Sequence, residues 1–272
     1  MQPIQIGAQG YAVQEIQKAL GITVDGVFGP LTKQAVVNFQ MAHGLTPDGI
    51  VGPLTWAALG LVAVVPPPVP TSTSVHGVDV SHWNGLVDWN LVKNSRPDMA
   101  FASAKATEGA YSVDDQFYNN WIGMKAAGLK RIAYHFFHPS QNVFQAATLF
   151  AKTVGHLEDG DLIALDWETH EGTIQQEMAA GKLWLDTVEQ IMGKKPGIYI
   201  GHYYANELGN PAWMADHWLW LAEYTTQPSA PAPWSGYTFW QYSGSGVVPG
   251  AGQVCDLDVA GGDLAWLTEF KG

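Results

Sequence analysis

The 272-residue sequence contains a single cysteine, Cys255, and few basic residues. One cysteine excludes an internal disulfide and a cysteine-rich zinc site, so folding does not depend on an oxidising compartment. Thirteen lysines and arginines against 25 aspartates and glutamates give a formal net charge of −12. This charge argues against nucleic acid or an anionic membrane surface as a partner. No apolar run reaches the length of a membrane span.

The N-terminus also lacks a basic segment followed by an apolar core, which is the pattern of a secretory signal. We therefore expect a chain without an export signal of its own, although a leader removed from the protein leaves the same trace. Aromatic residues, in contrast, are abundant, with 12 tryptophans, 10 tyrosines and 10 phenylalanines. Aromatic faces suit carbohydrate clefts, but most of these side chains are expected in the core.

An internal repeat marks the first 60 residues. The segment DGVFGPLT at residues 25–32 returns as DGIVGPLT at residues 48–55. In each copy Asp-Gly predicts a turn, and proline lies where a helix can begin. Apolar residues around both copies follow the helical period, which predicts an all-α domain of three short helices at residues 1–60. The proline-rich and Ser/Thr-rich residues 61–75 predict a linker to a second domain at residues 76–272.

The second domain is predicted to be an α/β barrel. Apolar strand-like segments alternate with helical segments, which indicates β-α-β units and a parallel sheet. The later connections are rich in proline, so we expect an eight-stranded (β/α) barrel that is irregular in its second half. The predicted strands span residues 77–80, 99–104, 131–136, 162–166, 197–200, 218–222, 238–241 and 254–257. The predicted helices span residues 114–127, 142–157 and 175–192.

Polar and aromatic residues collect at the carboxyl ends of these strands, where such barrels place their chemistry. Asp166 ends the fourth strand and Glu168 follows it, so both carboxyl groups leave on one face, about 6.6 Å apart. Two like charges raise the proton affinity of one of them, which suits general acid catalysis at a sugar acetal. A solvated turn is the alternative for the pair alone. The other strands contribute Asp79, Tyr134, His135, Tyr199, Glu223, Trp240, Gln241 and Asp256.

Two sets of motifs resemble known families. Residues 1–60, with V-x-x-I-Q-x-x-L, D-G-V-F-G and D-G-I-V-G-P-x-T-W, resemble a three-helix peptidoglycan-binding domain. Across about residues 76–260, DVSHWNG, FASAKATEG, LDWE and WQY resemble the glycoside hydrolase family 25 muramidases, which are lysozymes of many phages and bacteria. This resemblance implies cleavage of the β-1,4 bond between N-acetylmuramic acid and N-acetylglucosamine. Peptidoglycan is then the expected partner, and no cofactor or metal is expected.

The same resemblance implies roles for individual residues. By motif, Glu168 matches the catalytic acid, Asp166 its partner carboxylate, and Asp79 and Asp256 two further acids of the cleft. We expect Glu168 to be protonated and Asp166 to stay ionised, stabilising positive charge directly or by orienting the 2-acetamido group of the substrate. Asp258 stands where the family pattern usually has asparagine, which puts its role in doubt. The expected substrate-binding residues are Tyr134, His135, Tyr199, Glu223, Trp240 and Gln241.

Two other functional classes are open at this point. His135 and His138 suggest a zinc amidase or peptidase, but no H-E-x-x-H helix exists, and strand neighbours do not converge on one ion. A wall-binding protein with an inactive body would lack one of the acids, and none is missing. The missing signal is typical of a phage endolysin, which stays in the host cytoplasm until lysis, and a modular lysin of this kind is expected to act as a monomer. A bacterial autolysin secreted to the wall is the competing interpretation.

Overall fold

A computed structural model describes residues 4–8, 11–61 and 74–272 of the chain. The predicted linker therefore lies almost entirely outside the described residues. Within the described ranges, no helix combines the length and the apolar character that crossing a membrane requires.

The small N-terminal domain consists of the three predicted helices. They are α1 (Tyr11–Ala19), α2 (Pro30–Ala42) and α3 (Pro53–Ala58), and a repeat proline begins both α2 and α3. Proline suits this position because the first amide of a helix has no partner inside the helix. The buried core residues are Val13, Ile16, Phe28, Val36, Val51 and Trp56.

Each copy of the repeat is held by one buried glutamine. The Gln17 Oε1 atom accepts the backbone N–H groups of Asp25 and Gly26, at 3.0 and 2.9 Å. Its Nε2 group donates to Asp25 Oδ1 at 2.6 Å and to Thr32 Oγ1 at 3.0 Å. In the second copy Gln40 bonds in the same way to Asp48, Gly49, Ile50 and Thr55. The turn and the following helix of each copy are thus fixed by a single amide.

All eight predicted strands form and close into a barrel. They are β1 (His76–Val80), β2 (Met99–Glu108), β4 (Lys130–Phe136), β5 (Leu162–Asp166), β6 (Gly197–Gly201), β7 (Leu219–Ala222), β8 (Phe239–Gly246) and β9 (Cys255–Ala260). The barrel order is β1-β2-β4-β5-β6-β7-β8-β9, with β9 pairing back to β1. A short strand β3 (Ser112–Val113), absent from the prediction, forms a hairpin with β2.

The prediction of a wholly parallel sheet is wrong for one strand. Strand β9 runs antiparallel to both of its neighbours, β1 and β8. The physical reason lies in the connection at residues 247–254, which is shorter than the dozen or more residues that a parallel crossover needs. Consequently the start of β9, and not its end, lies at the same edge as the ends of the other strands.

Helices surround the barrel, and the three predicted ones form close to their predicted bounds. They are α5 (Phe117–Ala126), α6 (Val143–Val154) and α7 (Ile174–Met192). Asn142 caps α6 through the backbone N–H of Gln145, and α7 ends at Gly193 with φ +64°. Three helices of six residues each, too short for a periodic signal, were missed: α4 (Trp89–Asn94), α8 (His202–Glu207) and α9 (Leu264–Glu269).

Side chains on the strands alternate between the barrel interior and the layer under the helices. On β5, Leu162 and Ala164 belong to the interior cluster, while Ile163 and Leu165 pack in the outer layer. Trp167 continues the outer set and is fully buried. Because strand neighbours point to opposite faces, Asp166 and Glu168 fall on the interior side, at the open end of the barrel.

Candidate active site

The open end of the barrel forms a cleft, and the four predicted catalytic acids line it from three strands and one loop. Asp79 comes from β1, Asp166 from β5, Glu168 from the residues after β5, and Asp256 from β9. Asp256 lies directly opposite Asp79 in the β1–β9 pairing, so the reversed direction of β9 brings it to the cleft. The structure therefore brings together all four of the predicted catalytic residues.

Burial controls the protonation of the Asp166 and Glu168 pair. Desolvation, followed by the charge of Asp256, raises the pKa of Glu168 to about 7, and Lys105 opposes this rise. Desolvation, followed by the charge of Glu168, raises the pKa of Asp166 well above its ordinary value. The Oδ1 atom of Asp166 is buried without a hydrogen-bond partner. Both carboxyl groups are thus biased towards the protonated form, and an ionised Asp166 stays a prediction.

A row of charged side chains from the ends of β2 and β4 adjoins this pair. Lys105 is buried, ion-pairs with Glu108, and places Nζ 4.7 Å from the centroid of the Phe136 ring. The hydrogen bond from His138 is the main reason that the pKa of Glu108 falls to about 2. Glu108 in turn raises the pKa of His138. The buried Lys105 therefore places its side-chain nitrogen beside the carboxyl groups of the cleft.

Lys105 and Glu108 lie in the last part of β2 and were not among the predicted site residues. His138 received only a metal interpretation, yet its Nδ1 atom lies 2.6 Å from Glu171 Oε1 and its Nε2 atom 3.3 Å from Glu108 Oε1. All four residues line the cleft. The strand-end position of K-A-T-E was the available signal for Lys105 and Glu108. No pattern in the sequence indicated that Glu171 would meet His138.

Gln241 connects the acidic side of the cleft to its tyrosines. Its Nε2 group donates to Asp79 Oδ2 at 2.9 Å, and its Oε1 atom accepts from Tyr199 and Tyr224 at 2.9 and 2.8 Å. The amide therefore orients one carboxylate and two phenol groups that all face the cleft. Tyr134 also lines the cleft, and its hydroxyl donates to the carbonyl of Val80 at 3.3 Å.

Asp258 lies inside the barrel next to the cleft acids. It is fully buried and accepts a hydrogen bond from Trp220 Nε1 at 2.8 Å. Burial raises its pKa to about 7, and the charge of Asp256 adds to this effect. Burial, followed by the charges of Asp256 and Asp258, also raises the pKa of Asp79. Three neighbouring carboxyl groups thus compete for protons on this side of the barrel.

Three of the predicted substrate-binding residues lie outside the cleft. His135 is fully buried in the outer layer, where its ring stacks on Trp184 with centroids 5.1 Å apart. Trp240 is buried in the same layer and donates to the carbonyl of Glu223 at 2.6 Å. Strand alternation explains both, since the neighbours Tyr134 and Gln241 face the interior.

The third, Glu223, follows β7 and holds a loop. Its carboxylate accepts the backbone N–H of Ser229 at 2.9 Å and lies 3.7 Å from His202.

The metal interpretation of His135 and His138 also loses its basis, because only His138 of the two reaches the cleft. Among the described residues, no group of three or more His, Cys, Asp and Glu side chains has the arrangement of a metal site. Cys255 is buried, and desolvation raises the pKa of its thiol.

Comparison with known proteins agrees with this geometry. Residues 78–251 match the family model described as glycosyl hydrolases family 25. The chain belongs to glycosyl hydrolases family 25. Residues 9–59 match a second family model, described as a putative peptidoglycan binding domain. The family-25 chain is thus a glycoside hydrolase of the lysozyme or muramidase type. The resemblances of the sequence motifs to family 25 and to a peptidoglycan-binding domain are both confirmed.

Individual relatives give the same result. Lysozyme M1 of Streptomyces globisporus is 31% identical over 219 residues, which cover 73% of this chain and 72% of the relative. The uncharacterized protein YegX of Escherichia coli (strain K12) is 35% identical over 208 residues, covering 74% of this chain and 75% of YegX. The crystal structure of a bacterial lysozyme from Streptomyces coelicolor superposes with a TM-score of 0.68 at 28% identity, over 74% of this family-25 chain and 98% of that chain.

Proposed function

We propose that this protein hydrolyses the β-1,4 bond between N-acetylmuramic acid and N-acetylglucosamine in peptidoglycan, with Glu168 as the general acid. The observation that carries the proposal is the buried pair of Asp166 and Glu168 at the end of β5. A carboxyl group with a pKa near 7 is protonated in a useful fraction of molecules at neutral pH and can also act as a base.

In the first step Glu168 gives its proton to the glycosidic oxygen, which leaves as the 4-hydroxyl of N-acetylglucosamine. Positive charge then develops at C1 of N-acetylmuramic acid, and this charge favours the ionised form of Asp166. Asp166 stabilises the charge directly or by orienting the 2-acetamido group of the sugar. In the second step water adds its oxygen to C1 and returns a proton to Glu168.

The remaining cleft residues hold and orient the sugar under this proposal. Asp79 and Asp256 offer carboxylate oxygens to sugar hydroxyl and amide groups, and Gln241 keeps Asp79 in place through its 2.9 Å hydrogen bond. Tyr134 and Tyr199 form part of the cleft wall. Lys105 limits how far the pKa values of Asp166 and Glu168 rise, which keeps both groups able to ionise during the reaction.

The N-terminal domain is proposed to hold the enzyme on the insoluble wall. Linking a binding unit to a catalytic unit raises the effective concentration of substrate at the cleft. We further propose that the chain acts as a monomeric endolysin, which waits in the cytoplasm of a phage host and reaches the wall at lysis. The pairing of a wall-binding match with a family-25 match in one chain supports the last part of this proposal, action at the wall.

Mass spectrometry of the fragments released from purified walls tests the bond specificity. The proposal expects new reducing ends on muramic acid and no new free amino groups. Free amino groups would instead indicate an amidase or peptidase. Reducing ends on N-acetylglucosamine would place the cleavage at the other glycosidic bond and contradict the proposed specificity.

A further inference from the structure

Trp83 is the exposed exception among the tryptophans of this chain. Its relative exposure is 51%, whereas the other eleven tryptophans are buried or partly buried. Exposing an indole forgoes the free energy of burying a large apolar surface. An isolated exposed indole is common on mobile surface segments, so the rigidity and position of its segment decide whether this one has a use.

The segment that carries Trp83 is a short 3-10 turn, His82–Asn84, held on three sides. Ser81 and Asn84 form a reciprocal cap, in which each side chain bonds to the backbone of the other end of the turn. Asn84 Nδ2 also donates to the carbonyl of Val254 at 2.9 Å, next to β9. On the opposite side, the backbone N–H of His82 donates to Asp114 Oδ2 at 3.0 Å. The turn is therefore fixed between the residues before β9 and those after β3.

The indole itself is supported by a neighbouring ring. His82 and Trp83 have ring centroids 4.7 Å apart with an interplanar angle of 39°. His82 Nδ1 in turn lies 2.6 Å from Asp114 Oδ2, and the Asp114 side chain is fully buried. A buried carboxylate thus fixes the imidazole, and the imidazole limits the positions open to the indole. Such preorganisation reduces the entropy that an aromatic side chain loses when a ligand covers it.

The position of the turn connects Trp83 to the catalytic cleft. Ser81 and Asn84, which flank His82 and Trp83 in the chain, line the cleft together with Asp79. We propose that Trp83 is an outlying sugar subsite, on which an N-acetylated pyranose of the glycan strand stacks at the β1 edge of the cleft. This inference rests on the proposed muramidase function and adds the residue that extends binding beyond the cleaved bond.

The chemistry of the ligand supports a neutral, apolar contact at this position. The C–H face of a pyranose ring is apolar, and aromatic side chains are common in pockets whose few polar groups fix orientation. The acidic cleft residues supply those polar contacts closer to the reacting bond. A stacking platform at the edge adds binding without adding charge, so it lengthens the sugar chain that is recognised and leaves the protonation of Glu168 unchanged.

The test compares Trp83→Ala, Trp83→Phe and the wild-type full chain on soluble glycan oligomers of increasing length. We expect Trp83→Ala to raise KM about tenfold on long oligomers, which is the loss of one good aromatic contact, with kcat unchanged. The difference should disappear on the shortest cleavable oligomer, and Trp83→Phe should recover part of the loss. Ile191→Ala removes an apolar side chain of similar exposure, 49%, from the last turn of α7, and serves as the control.

A KM for Trp83→Ala that equals the wild-type value at every length would overturn the subsite. An equal loss of kcat at every length would also overturn it, because that result indicates a role in chemistry or folding. Failure of the proposed function has a different signature, namely wild-type protein that releases no reducing ends on muramic acid. In that case binding of the same oligomers to Glu168→Gln protein, with and without Trp83→Ala, still decides whether Trp83 contacts sugar.

Discussion

The two folded regions of this chain hold carboxyl groups in opposite environments, an exposed Asp25 in the small domain and a buried Asp166 in the barrel. In the small domain Gln17 satisfies the turn of its repeat, and hydrogen bonding from Val27 and Gln17 lowers the pKa of Asp25. At the open end of the barrel, burial instead raises the pKa of Asp166, and one of its oxygens has no partner. Saturated hydrogen bonding stabilises a fold, whereas an unsatisfied buried carboxyl group is costly and persists where the surrounding fold enforces it.

This difference shows which interactions stabilise each region. The small domain has a core of only a few side chains, so every buried amide bond matters to its folding. The barrel has a much larger core, which can tolerate several destabilising carboxyl groups at one end. Substitutions should therefore affect the two regions differently. Replacing a buried polar side chain of the repeat should lower stability, whereas replacing a cleft carboxyl group by its neutral isostere should lower activity.

The largest expected effect is the loss of activity in Glu168→Gln. The amide has the shape of the carboxylic acid but cannot deliver a proton, so wall lysis should fall by about 10²- to 10⁴-fold. The fold should be at least as stable as in the wild type, because a buried titrating group becomes neutral. Turbidity of a wall suspension measures lysis, and thermal unfolding measures stability.

Glu158→Gln is the matched control for this substitution. Glu158 is an exposed carboxylate that ion-pairs with Lys125 at the surface, and its replacement should leave lysis unchanged. If Glu168→Gln keeps most of the wild-type activity, Glu168 is not the general acid. The buried carboxyl groups of the barrel would then have no demonstrated role in catalysis.

The next effect concerns the small domain. In Gln17→Leu the N–H groups of Asp25 and Gly26 and the hydroxyl of Thr32 lose a buried partner. We expect a loss of about 3 kcal/mol in local stability, since each unsatisfied buried group costs about 1–3 kcal/mol. Amide hydrogen exchange across α1 and α2 in the full chain measures this loss, while cleavage of soluble oligomers should be unaffected.

Gln34→Leu provides the comparison on the same domain. The side chain of Gln34 is exposed and donates to the nearby Asn38, so its replacement should change stability by less than about 0.5 kcal/mol. Equal exchange rates in the two variants would show that the buried amide does not hold the repeat together.

A third prediction uses pH to expose the cost of burial at Asp258. Its folded pKa of about 7 lies above the ordinary value of 3.8, so the native state binds more protons than the unfolded state between these limits. Stability is then lost as pH rises through this window. Asp258→Asn removes the titration and keeps an acceptor for Trp220, so it should be more stable than wild type at pH 8, by on the order of 2 kcal/mol.

Thermal unfolding of both proteins between pH 3 and pH 8 measures this difference. The two proteins should be nearly equal at pH 3, below the ordinary pKa of 3.8, where Asp258 is mostly protonated in both states, and should diverge as pH rises. The difference reports the titration of Asp258 together with its effect on Asp79, whose pKa the charge of Asp258 raises. A gap that is the same at every pH would mean that Asp258 does not titrate in this window.

The parts of the fold that could be predicted from the sequence are those that leave a pattern within a short segment of the chain. The run of residues 162–165 predicted β5 because a strand buried on both faces is apolar at every position. The direction of β9 was not predictable in the same way, because strand patterns carry no sense of direction. The short helices α4, α8 and α9 contain less than two turns, which is too little for a periodic pattern.

The same limit explains the site residues. Alternation separates neighbours on a strand, so naming both Tyr134 and His135, or both Trp240 and Gln241, had to be wrong for one member of each pair. The sequence pattern did not show which residue of each pair faces the barrel interior. Bonds between distant segments, such as Gln241 to Asp79 or His138 to Glu171, depend on barrel closure and leave no trace in local sequence.

The smallest expected effect concerns Lys105, a buried lysine that lines the cleft. Lys105 lowers the pKa of Glu168, so in Lys105→Met that pKa should rise further above about 7. Glu168 works as a protonated acid, and activity is lost as pH rises through its pKa. The alkaline limb of kcat/KM should therefore move to higher pH, by about one unit. Lys105→Arg keeps the charge and should leave the limb in place. If the limb does not move in Lys105→Met, Lys105 does not influence the pKa of Glu168, and desolvation accounts for its rise. The pKa of the cleft acid would then depend on burial, whereas the pKa of Asp25 in the repeat depends on specific hydrogen bonds.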